Sequence, residues 1–73
     1  MMNNNILTAK LLDLVEGRET PESWWNWWND QEVEVERLLL FADFQSLRAQ
    51  KQNFAWLPVK EAVSILEKKG ISF

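Results

Sequence analysis

Cysteine and histidine are both absent from this chain, and each absence removes a class of chemistry. Without cysteine there is neither a disulfide framework nor a thiolate metal site to stabilise a small fold. Without histidine, acid–base catalysis near neutral pH loses its commonest side chain, and with cysteine gone a common nucleophile is missing too. Glycine is scarce, at two residues, and no Asn-Gly or Asp-Gly pair is present to signal a tight hairpin. A Gly-rich phosphate loop is likewise missing. The longest apolar run is Leu38-Leu39-Leu40-Phe41, far short of the roughly 20 residues a membrane-spanning helix needs. Met1-Met2-Asn3-Asn4-Asn5 carries no positive charge and no small-residue cleavage site, so it does not read as a secretory signal, and a cytoplasmic location is expected.

What the chain has is tryptophan. Four of its five tryptophans stand in Trp24-Trp25-Asn26-Trp27-Trp28. Thr20 ahead of them can cap a helix, Pro21 suits the first helical position, and Glu22 complements the positive helix end. At about 100° per residue the four indoles share an arc of about 160°, with Glu22, Ser23, Asn26, Asn29 and Asp30 opposite. On a strand they would split between two faces, so a helix is the better reading. A stripe at helical spacing usually faces inward. Each indole, however, brings roughly 200 Å² and an N–H needing an acceptor, and a domain this small buries only about 60% of its unfolded surface. Trp24 and Trp28, central in the arc, are therefore expected in the core. Trp25 and Trp27, at its edges, are expected to be partly exposed and to form a binding rim, since exposed tryptophan is enriched at interaction hot spots.

Seventy-three residues make a single domain, 1–73. Ile6 to about Glu16 repeats apolar residues at helical spacing (Leu7, Leu11, Leu14, Val15), with Asn4 or Asn5 as cap and Gly17 as stop. Asn29 and Glu32 resemble a capping box. Glu32-Val33-Glu34-Val35-Glu36 alternates like a strand, but the missing turn chemistry favours a helix from about Asp30 to Leu47. Leu38–Phe41 is then expected at the centre of the fold, covered on most sides. Arg48 to Asn53 reads as a frayed end or loop, and Phe54-Ala55-Trp56-Leu57 as a return to the core. Pro58 opens a last helix at its first position, with Val59, Ala62, Val63 and Leu66 on one face and Ile65 beside it. Lys68 and Lys69 suit its negative end, and Gly70-Ile71 suits a Schellman ending. The expected fold is all-α, a small bundle of about four helices. The alternative is α+β, pairing residues 32–37 with a segment near 54–57 or 71–73.

Charge is divided along the chain. Residues 1–43 hold nine acidic and three basic residues, whereas 44–73 hold five basic and two acidic, for a net charge of −3. Such ends can attract within one fold or between protomers. Glu32, Glu34 and Glu36 step about 200° apart on a helix and do not converge, so they build no carboxylate pair or metal cage. No catalytic residue, metal site, cofactor or small-molecule ligand is indicated. Arg48, Lys51, Phe54 and Trp56 form a short basic and aromatic stretch within 48–56 that suits single-stranded nucleic acid. The overall acidity opposes that reading. It also opposes an anionic membrane surface, because the polar side of the Trp helix carries Glu22 and Asp30 rather than lysine. The expectation from sequence is a non-enzymatic protein-interaction module (a regulator, adaptor or self-associating subunit) using the Trp25/Trp27 rim. A narrower version is an inhibitor or immunity-type protein that covers a basic site on a toxin or nuclease.

Overall fold

The structure, a computed structural model, describes residues 3–52 and 56–71. They form four α-helices, α1 (Asn4–Val15), α2 (Pro21–Leu38), α3 (Phe41–Ala49) and α4 (Val59–Lys68), with a 3₁₀ turn at Gln50–Gln52. No strand occurs among the described residues. The fold is all-α. Residues 32–37 lie inside α2; residues 53–55, with Phe54, and 72–73 lie outside the described residues.

Helix α1 starts at Asn4, two residues before the expected Ile6. Asn3, not Asn4 or Asn5, is the cap: its side-chain oxygen accepts from the Ile6 N–H at 3.0 Å. The inner face of α1 is Leu7, Leu11 and Leu14, all sealed. Both glycines end helices. Gly17 and Gly70 take φ of +81° and +73°. Arg18 N–H donates to the Asp13 carbonyl at 2.8 Å, and Ile71 N–H to that of Leu66 at 3.1 Å, the long bond of a Schellman motif in each case. A Cβ at Gly70 would meet nothing within 4 Å, so only the backbone resists substitution. Gly70→Ala is therefore expected to lose roughly 1–2 kcal/mol in chemical unfolding. D-alanine at the same position, in a synthetic chain, should not lose stability. An equal loss from both would mean that φ is not the cause.

Helix α2 begins as its sequence suggests, with reciprocal capping: Thr20 Oγ1 accepts from Ser23 N–H at 3.1 Å and Ser23 Oγ from Thr20 N–H at 3.0 Å. Beyond that point two expectations need correction. Asn29 starts no new helix, because α2 runs on without a glycine or proline to stop it. Nor is there one helix from Asp30 to Leu47. Leu39 and Leu40 are extended (ψ 157° and 147°), and the chain turns a corner between α2 and α3. A single helix would spread residues 38–41 around its whole circumference at about 100° per step, and no neighbour set covers all sides. The break lets Leu38 and Leu39 pack on the core and brings in Phe44 and Leu47. Leu40 and Phe41 are left outside, so residues 38–41 form a corner rather than the centre of the fold.

The strand-like alternation also resolves on the helix, with Val35 sealed and Val33 77% exposed, about 200° apart. In α4, Pro58 is the cap rather than the first helical residue. The buried face of α4 is Ala62, Ile65 and Leu66, while Val59 is exposed and Val63 half-buried. The face is turned toward Ile65 relative to the expected one, and both α1 and α3 pack on α4. The broadest helix–helix contact is α1 with α4. The two charge-divided parts of the chain meet within the fold: Lys68 pairs with the buried Asp43 at 2.7 Å and Lys51 with Glu32 at 3.6 Å.

Candidate functional site

The aromatic quartet proves to be mostly interior. Trp24, Trp25 and Trp28 are each 0% exposed, which corrects the expected part-exposure of Trp25. Trp25 lies edge-on to Trp24 (6.2 Å between centroids) and to Trp28 (5.9 Å), and Trp28 stacks on Phe44 at 5.5 Å and 16°. A helical wheel places Trp25 at the rim of one helix, but the segment leading into α4 covers that rim. Its Nε1–H donates to the Trp56 carbonyl at 3.1 Å. Trp28 Nε1–H donates to Glu32 Oε2 at 2.6 Å. Trp24 Nε1–H is buried with no hydrogen-bond partner among the described residues, an exception to the usual pairing of buried polar groups.

Trp27 is half-buried, as its place in the arc suggests. Its remaining surface is not bare. Lys10 Nζ from α1 lies 5.4 Å from the ring centroid and pairs with Glu19 at 2.8 Å, and Ser23 Oγ donates to the same carboxylate at 3.2 Å. Cation–π contact and ion pair together hold the lysine over the indole. The quartet thus joins α2 to α1 and α3 and presents little surface of its own.

The carboxylates of α2 diverge. Glu32 faces Trp28 and Lys51, Glu34 pairs with Arg37, and Glu36 is exposed. Among the described residues no group of three acidic side chains is placed to hold a metal ion, and no helix is long and apolar enough to cross a membrane. The Arg18 guanidinium is pushed above its ordinary value by hydrogen bonds to Glu16 and Asp13, so it stays charged. Arg48 and Lys51 line a groove of about 550 Å³ with Glu32 and three further residues of the α3 end, but Trp56 does not border it. Lys51 there is already paired with Glu32. The basic and aromatic parts of that stretch are therefore not brought together among the described residues.

Bare apolar surface lies elsewhere. Leu40 and Phe41 are 69% and 70% exposed, and Trp56 is 63% exposed. Leu40 borders a second groove, of about 360 Å³, lined also by Leu38, Leu39 and Ile65 and by the charged Arg37, Asp43, Lys68 and Lys69, of which Lys68 and Asp43 pair with each other and Arg37 with Glu34. No protein-family model matches this chain, and neither a curated protein nor a solved structure matches it. The corner residues were missed as site candidates in sequence because an apolar run signals burial. The sign that could have exposed them was the length of the run, four consecutive residues where one helix face takes two.

Proposed function

We propose that this protein is a non-enzymatic interaction module whose contact surface is the corner between α2 and α3. The observation that carries the reading is the adjacent exposed pair Leu40 and Phe41, in a fold that seals twelve other apolar side chains. Scattered exposed apolar residues need no explanation, but a leucine and a phenylalanine adjacent in the chain and both about 70% exposed, with Leu40 bordering a groove, form the kind of bare apolar surface that marks a contact site. Glu22, Asp30 and Glu36 are exposed on α2 without an ion pair among the described residues, and they offer steering charge.

The test is capture from the native host's extract on immobilised protein, comparing the wild type with Leu40→Ser/Phe41→Ser. Both substituted residues are exposed, and Leu40 caps α3 without a side-chain hydrogen bond that serine could supply, so the unfolding free energy should fall by no more than about 0.5 kcal/mol. Proteins retained by the wild type and lost by the variant support the reading. Identical retention by the two removes the corner as a contact surface. A basic toxin or nuclease among the lost proteins would support the inhibitor version.

A further inference from the structure

We draw no further inference here: the strongest candidate, the bare corner between α2 and α3 with the groove that Leu40 borders, belongs to the contact surface already proposed, and nothing in the structure shows what covers it.

Discussion

Replacing Trp28 by alanine is expected to cost about 3–5 kcal/mol, the usual range for truncating a sealed aromatic side chain. Trp28 is 0% exposed, stacks on Phe44 at 5.5 Å, meets Trp25 edge-on at 5.9 Å, and donates to Glu32 at 2.6 Å. Each aromatic contact adds about 0.5–1.5 kcal/mol beyond the burial itself. A domain of this length has net stability of about 4–11 kcal/mol, so the variant should be partly or wholly unfolded in water at the lower end of that range. Trp28→Phe keeps a ring against Phe44 and loses the N–H to Glu32, so its loss should be smaller. Chemical unfolding followed by circular dichroism measures both. Val33→Ala, on the outer side of the same helix, should change stability by no more than about 0.5 kcal/mol. If Trp28→Ala proved as mild as Val33→Ala, the quartet would not be the core.

The second large effect is expected at the other side of the bundle. Leu11 sits 0% exposed in the middle of α1's inner face, and α1 makes its broadest contact with α4. Leu11→Ala should lose about 2–5 kcal/mol, depending on how far the neighbours collapse into the space. Leu66 belongs to the same contiguous cluster. If the two side chains touch across the α1–α4 contact, combining Leu11→Ala with Leu66→Ala should depart from additivity by about 0.5–3 kcal/mol. Strict additivity would mean that these two side chains do not touch. The same unfolding titrations give both numbers.

How far the chain could be read in advance depends on how local each cause is. Thr20 with Pro21, Gly17 and Gly70 act within a turn or so of backbone, and they start and stop helices where their chemistry predicts. Leu7, Leu11 and Leu14 announce their buried face by spacing alone. The misplaced expectations concern neighbours distant in sequence. Trp25 is sealed by a segment about thirty residues later, whose Trp56 carbonyl takes its N–H, and nothing near Trp25 in sequence signals that cover. Asn29 and Glu32 have the composition of a helix start, but a helix already running past them leaves no free backbone N–H to cap. The candidate site shifted for the same reason: Lys10, on another helix, occupies the free side of Trp27.

Local sequence determined that this chain is helical, where three of its four helices begin or end, and that no disulfide contributes to its stability. Tertiary packing decided which apolar residues stay outside. Helical propensity and capping depend on residues within about four positions. Exposure depends on which elements lie across each face. Leu40 and Phe41 are bare because turning the corner between α2 and α3 brings Phe44 and Leu47 into the core and leaves nothing among the described residues to cover the corner itself.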